Sequence, residues 1–306
     1  MAFIEIRDLA KSFVSPTGPR HVLKGVSLDV QQGEFVAIVG AMGSGKSTLL
    51  SLIAGLTMPD AGSVSVGGEP TRGVRRDAAF VFQNYSLLPW FTALENVRLA
   101  VEAAFPEMSR AEQRRHATRA LEQVGLGNAI DRRPKQLSGG MRQRVAIARA
   151  FATKPQVLFL DEPFGALDAL TRETLQQELS RLCSEGERPV TTVMITNSVE
   201  EAILLSDRIV PIVPAPPLDH ARGALSKAER APATLGTPIP VELSRPRSLA
   251  QLAHDEQATQ VRAHVVSTLT ASVRGRTLWG TAHSTAPAPL AAGAKTALAK
   301  PAREIQ

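Results

Sequence analysis

A single cysteine, Cys183, occurs in 306 residues. One thiol excludes an internal disulfide and suits a reducing compartment. Its plain reading is a small hydrophobic residue on a helix. No apolar run approaches the ~18–20 residues that a helix needs to cross a bilayer. The stretch Met1-Ala2-Phe3-Ile4-Glu5-Ile6-Arg7 alternates as a strand does and lacks the basic and apolar regions of a signal peptide. The expectation is a chain that stays where it is made. Internal repeats are missing, and most of the chain has no charge imbalance. Residues 1–214 hold 24 Lys and Arg against 23 Asp and Glu, whereas residues 215–306 hold 11 against 6. Five of the six net positive charges therefore belong to the tail. A basic tail can favour an anionic membrane face or nucleic acid, although a solvated extension is the commoner explanation.

What the chain does have is a 43% hydrophobic content, enough for a sizeable core, and a length that allows one large domain or two modest ones. Its organising stretch is Gly40-Ala41-Met42-Gly43-Ser44-Gly45-Lys46-Ser47-Thr48. The apolar run Phe35–Val39 before it reads as a buried strand, and Leu49–Ala54 after it reads as a helix. Strand, G-x-x-x-x-G-K-S, helix is the context of a phosphate-binding loop. Three glycines let the backbone turn tightly and aim N–H groups at an anion, and the helix N-terminus adds positive charge. Lys46 would reach the β- and γ-phosphates of a nucleotide, and the Ser47 hydroxyl would hold Mg²⁺. A Gly-rich turn with a stray lysine is the plain alternative, and the flanking strand and helix argue against it.

Other segments read in order. Residues 3–7 and 26–30 alternate as half-buried strands around the turn-rich loop Ser15–Pro19. Phe13, just before that loop, could stack on a purine base but reads first as core. Ala78–Asn84 is an apolar strand ending in Gln83, whose amide oxygen could meet Mg²⁺ or water at the C-terminal edge of an α/β sheet. Residues 92–135 form a helical insert that starts with the capping box Thr92…Glu95 and resumes at Ser109. The apolar Leu87–Phe91 at its entrance packs internally or docks a partner. Ser138-Gly139-Gly140 caps a helix running through Ala152, a second anion site at a positive helix end. The strand Val157–Leu160 leads into Asp161-Glu162, two carboxylates that would be costly there without a cation. Asp161 suits a Mg²⁺ contact, and Glu162 can orient or deprotonate a water. A turn through Asp168, a helix over about 170–185 and the strand Val190–Ile195 complete an alternating β/α pattern.

Five segments together, residues 40–48, Gln83, Leu137–Gln143, Asp161-Glu162 and Ala166-Leu167-Asp168, resemble the ATP-binding subunit of ABC transporters over about residues 1–214. The resemblance implies an α/β ATPase domain of the P-loop NTPase class: a mixed sheet with flanking helices, an antiparallel N-terminal β subdomain and a helical subdomain at about 84–150. It implies that two such subunits pair head to tail. Each ATP is then held by one phosphate loop (Gly40, Ala41, Met42, Gly43, Ser44, Gly45, Lys46, Ser47, Thr48) and by the partner's Ser138, Gly139 and Gly140, with Asp168 near the interface. By the same likeness Phe13 stacks on adenine, Ser47, Gln83 and Asp161 hold Mg²⁺, and Gln83 senses the membrane subunit. Implied partners are two transmembrane permease subunits and, indirectly, a periplasmic solute-binding protein; no nucleic acid is expected. The implied location is the cytoplasmic face of the inner membrane.

One departure stands out. Where the family usually shows Thr-His-Asp, this chain has Thr196-Asn197-Ser198. The histidine normally contacts the γ-phosphate; an asparagine amide can donate a hydrogen bond but is shorter and uncharged. Ala41-Met42 replaces the usual Pro-Ser, at positions that contribute mainly backbone. Phe82–Trp90 looks like importers of nitrate, sulfonates, taurine and related anions, and Thr196–Ala202 with Leu205–Pro211 is similar to the nitrate branch. Residues 215–306 match no regulatory domain. Ala215-Pro216-Pro217 and Pro232–Pro240 read as linker, Ser248–Ala271 as helix-like, and the Ala/Pro-rich 281–306 as disordered. A soluble ABC ATPase acting on nucleic acid or ribosomes, and an exporter subunit, are the rival readings.

Overall fold

The architecture was read from a computed structural model, which describes residues 2–16, 18–184, 189–215 and 231–273. In chain order the strands and helices are β1 (Ile4–Ser15), β2 (Gly18–Val30), β3 (Phe35–Val39), α1 (Lys46–Ile53), β4 (Ala61–Val66), β5 (Glu69–Pro70), β6 (Ala78–Val81), α2 (Ala93–Ala104), α3 (Arg110–Gln123), α4 (Gly139–Phe151), β7 (Val157–Asp161), α5 (Ala169–Ser184), β8 (Thr191–Thr196), α6 (Val199–Leu205), β9 (Arg208–Pro214), β10 (Ala233–Leu235), β11 (Ile239–Pro240), α7 (Leu249–His254) and α8 (Glu256–Val273).

The central strands β3, β7 and β8 are buried on both faces, which is why Phe35–Val39 and Val157–Leu160 read as continuous apolar runs, while β8 buries three threonines beside Val193, Met194 and Ile195. The two-residue repeat of a strand sends alternate side chains to opposite faces. Phe35, Ala37 and Val39 join one core with Leu158, Leu160 and Met194; Val36 and Ile38 join the other with Val157, Phe159, Val193 and Ile195. The first core is roofed by α2, α3 and α4, and the second by α1 and the N-terminal strands.

Strand order is β5-β4-β1-β2-β10-β9-β3-β8-β7-β6. Strands β9, β3, β8, β7 and β6 are parallel neighbours, whereas β1 pairs antiparallel with β2 and β4. The mixed sheet and antiparallel N-terminal unit that the resemblance implied are both present. The expected capping box is formed: Glu95 donates its N–H to Thr92 Oγ1 at 3.2 Å, and Thr92 N–H reaches Glu95 Oε2 at 2.7 Å. Cys183 is buried in the first core, and that burial pushes its thiol up to about 12.

Three stretches differ from the expectations. The strand before Gln83 ends at Val81, where its pairing with Leu160 of β7 ends, so Gln83 lies in the following turn. Phe13 is 44% exposed on the β1–β2 hairpin rather than in the core. Pro232–Pro240, read as linker, contains β10 and β11. Strand β10 pairs with both β2 and β9 and so joins the N-terminal antiparallel unit to the parallel strands. Three non-proline residues, Ala233-Thr234-Leu235, are enough for this, and Thr234 adds a hydroxyl bond to Gly25 O at 3.1 Å. The readings of 216–217 and of 281–306 fall outside the described residues.

Further on, Arg247 is 9% exposed and its guanidinium donates to the carbonyls of Ile203, Ser206, Val241 and Leu243. It thereby caps the C-terminal end of α6 with a cation, the sign that this end of a helix favours. Burial pulls its pKa down to about 10. No described helix is long and apolar enough to cross a membrane.

Candidate functional site

The phosphate loop fills the turn between β3 and α1. Gly45 sits at φ 96° and Gly43 at φ 74°, backbone conformations that side chains resist. Gly40 has a second constraint: a Cβ there would lie 2.3 Å from Ile212 Cγ2 of β9. At Gly45 a Cβ would lie 3.1 Å from Val22 and Leu23 of β2, so the N-terminal hairpin lies against the loop. The Ser44 hydroxyl is buried without a hydrogen-bond partner among the described residues. An orphan donor inside a glycine cradle, with a lysine behind it, fits an anionic phosphate.

Lys46 is only 4% exposed. Its ammonium donates to Gly40 O at 2.9 Å, Ala41 O at 3.0 Å and Asn197 Oδ1 at 2.6 Å, and lies 3.8 Å from Glu162 Oε1. Burial holds its pKa below the ordinary lysine value, against the pull of Glu162 and Asp161. Asn197 donates its amide to Glu162 Oε1 at 2.6 Å. The chemistry fixes the orientation of this amide: an ammonium only donates and a carboxylate only accepts. Asn197 thus bridges the loop lysine and the carboxylate. Gln83 Nε2 approaches Glu162 Oε2 at 3.5 Å.

Glu162 itself has φ 44°, the left-handed region that a glutamate rarely occupies, while its N–H donates to Ile195 O of β8 at 3.0 Å. The neighbouring strand end therefore fixes a strained backbone that turns the side chain out of the sheet. Such a carboxylate, beside an ammonium and two amides, can accept a proton from a water. Ser47 donates to Asp161 Oδ1 at 3.3 Å, and burial raises the Asp161 carboxyl above its ordinary range. With the Gln83 amide oxygen these are the hard oxygen donors that Mg²⁺ prefers. No cluster of three or more His, Cys, Asp or Glu suited to a metal exists among the described residues, so phosphate oxygens would have to complete a shell there.

Ser138, Gly139, Gly140 and Asp168 gather elsewhere. Ser138 caps α4 by accepting from Met141 N–H at 3.2 Å. Asp168 accepts from Thr171 N–H at 3.0 Å, which holds its carboxyl below the usual range. Thr171 also meets the Leu137–Gln143 segment, the signature of this site, since a Cβ on Gly140 would lie 2.4 Å from its Cγ2. Ser138, Gly140, Arg144 and Thr171 help to line an open cavity of about 310 Å³. Among the described residues no hydrogen bond or ion pair joins this group to the phosphate loop. Met42 is 82% exposed, and Phe13 carries Lys11 Nζ at 5.6 Å from its ring centroid.

The residues that hold the Gln83 loop are not among those singled out from the sequence. Tyr85 and Ser86 both have positive φ, and their carbonyls accept from Arg149 of α4 at 2.8 and 2.5 Å. Arg142 of the same helix lies over the Tyr85 ring at 5.3 Å. The helix capped by Ser138 thus grips the loop that carries Gln83. Two arginines on a helix carry no sequence signal for a loop more than fifty residues earlier.

A family model described as "ABC transporter" matches residues 23–165. The nitrate import ATP-binding protein NrtD of Synechococcus elongatus is 44% identical over 267 residues, 87% of this chain and 91% of that protein. The bicarbonate transport ATP-binding protein CmpD of a Synechocystis strain is 42% identical over 268 residues, 88% of this chain and 89% of that protein. Among solved structures, a dimer of the ATP-binding cassette MJ0796 in a post-hydrolysis state, bound to ADP and Pi, is 31% identical with a TM-score of 0.65, covering 79% of this chain and 100% of that one.

Proposed function

The chain belongs to the family of ABC transporter ATP-binding subunits, and on that premise we propose that it hydrolyses ATP to drive import of a small inorganic anion through a membrane permease. The observation that carries the reading is the Lys46–Asn197–Glu162 chain beside an orphaned phosphate-loop hydroxyl. In this reading Gly40–Thr48 bind the triphosphate, and Lys46 neutralises its terminal oxygens. Glu162 takes the proton of the attacking water, and Asn197 and Gln83 orient that water and the carboxylate. Bound Mg²⁺, held by Ser47, Asp161 and Gln83, would offset phosphate charge. Phe13, exposed on a hairpin that touches Gly45, would stack on the base.

Ser138, Gly139, Gly140 and Asp168 would serve the nucleotide of a second ATP-binding subunit, identical or not, in a head-to-tail dimer on the cytoplasmic side of the membrane. Support comes from their separation from the phosphate loop and from the dimeric cassette that this chain resembles. Closure on ATP and reopening after hydrolysis would move two permease subunits. We read residues 1–214 as the ATP-binding domain and 215–306 as its extension.

Asn197 stands where the family usually has histidine. Either this site turns over slowly, or a non-identical partner subunit supplies the histidine. Nitrate is the first solute to test: the sequence around Thr196–Pro211 favours it, while the similarity of CmpD makes bicarbonate the next. The experiment is co-purification with the membrane subunits encoded alongside, then ATPase assays with the cognate solute-binding protein loaded with nitrate or bicarbonate. Solute-dependent stimulation supports import. Association with nucleic acid or ribosomes, or no response to a binding protein, would favour the soluble or exporter readings.

A further inference from the structure

Behind Asn197 lies a buried carboxylate that none of the roles above uses. Glu201, on the first turn of α6, is 6% exposed. Its Oε2 accepts the Thr196 hydroxyl at 2.7 Å, and that hydroxyl in turn accepts the Ser198 N–H at 3.0 Å. The Glu201 N–H returns to Ser198 Oγ at 3.2 Å. The two residues flanking Asn197 are therefore both tied to one glutamate: the Thr196 hydroxyl donates to the Glu201 carboxylate, and Ser198 Oγ accepts the Glu201 backbone N–H. Glu162, Asn197, Ser198, Thr196, Glu201 and Arg172 border a common cavity of about 240 Å³. Burying a carboxylate is costly unless its bonds are made, and these bonds lie directly behind the amide that spans Lys46 and Glu162.

We propose that Glu201 is a positioning residue which fixes Asn197 through Thr196 and Ser198, so that the short amide reaches both Lys46 and Glu162. An asparagine has less reach than the imidazole usual at this position, and placement errors of about 1 Å can cost on the order of a hundredfold in rate. The inference rests on the role proposed for Asn197 and deepens it.

The test uses the full-length chain and four variants: Glu201→Ala, Glu201→Gln, Thr196→Val and Asn197→Ala. ATP hydrolysis is titrated against ATP, and amide hydrogen exchange is followed at Ser198 and Glu201. Glu201→Ala and Thr196→Val should lower kcat on the order of tenfold or more, with KM for ATP within about twofold. Exchange should quicken in Glu201→Ala. Glu201→Gln should keep both kcat and protection, because an amide oxygen accepts the threonine hydroxyl as a carboxylate does. Loss in Glu201→Gln equal to that in Glu201→Ala would overturn the proposal in favour of a charge or proton role. So would wild-type kcat in Glu201→Ala, or a collapse of ATP binding alongside kcat. Wild-type kcat in Asn197→Ala would instead defeat the reading of Asn197, while the exchange result would still report on the clamp.

Discussion

The two ends of this domain to which we assign nucleotide contacts are built in opposite ways. At the phosphate loop the groups around Lys46 are already engaged with one another, the orphaned Ser44 hydroxyl aside: Lys46 with two carbonyls and Asn197, Asn197 with Glu162, Ser47 with Asp161. At the signature, among the described residues, Ser138 holds only its own helix and Asp168 only its own turn, and the cavity beside them is open. The first end is self-contained charge chemistry that burial makes strong. The second is a set of backbone donors and small residues with a surface to offer. In the proposed head-to-tail reading, one copy carries two unlike halves of a site.

The largest break in this comparison should come from Glu162→Gln. Removing the carboxylate that Asn197 joins to Lys46 should cut turnover about 10²–10⁴-fold while ATP still binds, measured by single-turnover hydrolysis beside equilibrium binding. Ser138→Asp sharpens the other half. Aspartate is as good an N-cap as serine, so melting should hold, yet a negative charge now meets the incoming phosphates. Turnover should fall on the order of a hundredfold, with ATP affinity of the single chain kept; a matching loss of stability would mean the serine is only a cap. Arg247→Ala, at the end of α6 away from Asn197, should leave four carbonyls without their donor and cost roughly 3 kcal/mol, read from the urea midpoint. Asn197→His should have the smallest effect, a few-fold change in kcat. It should also introduce an ionisation near pH ~6.5 into the rate profile, which the neutral amide of the natural chain cannot supply. An unchanged profile and rate would mean that asparagine does the whole task of the histidine.

Much of the phosphate-loop half was legible in the sequence because its parts are local. A strand, three glycines and a lysine within a dozen residues leave few alternatives, and four apolar residues, Val157–Leu160, lead directly into Asp161-Glu162. Ser138 was legible as a cap for the same reason. What escaped depends on long-range packing. The strand β10 has three residues between prolines and exists because β2 and β9 expose edges for it. Phe13 reads as core by residue type and turns out exposed by register. The grip of Arg149 on the Gln83 loop and of Arg247 on α6 spans dozens of residues, and the Glu201 bond to Thr196 lies hidden in an ordinary first helical turn.

The half-site is tested most directly by mixing two variants that each inactivate one end. Lys46→Ala loses the phosphate loop and Ser138→Asp loses the signature, so each alone should hydrolyse ATP only at background. In a head-to-tail mixed dimer, the intact loop of one chain meets the intact signature of the other, and activity should return when the two are combined. A mixture as inactive as its components would contradict a shared site.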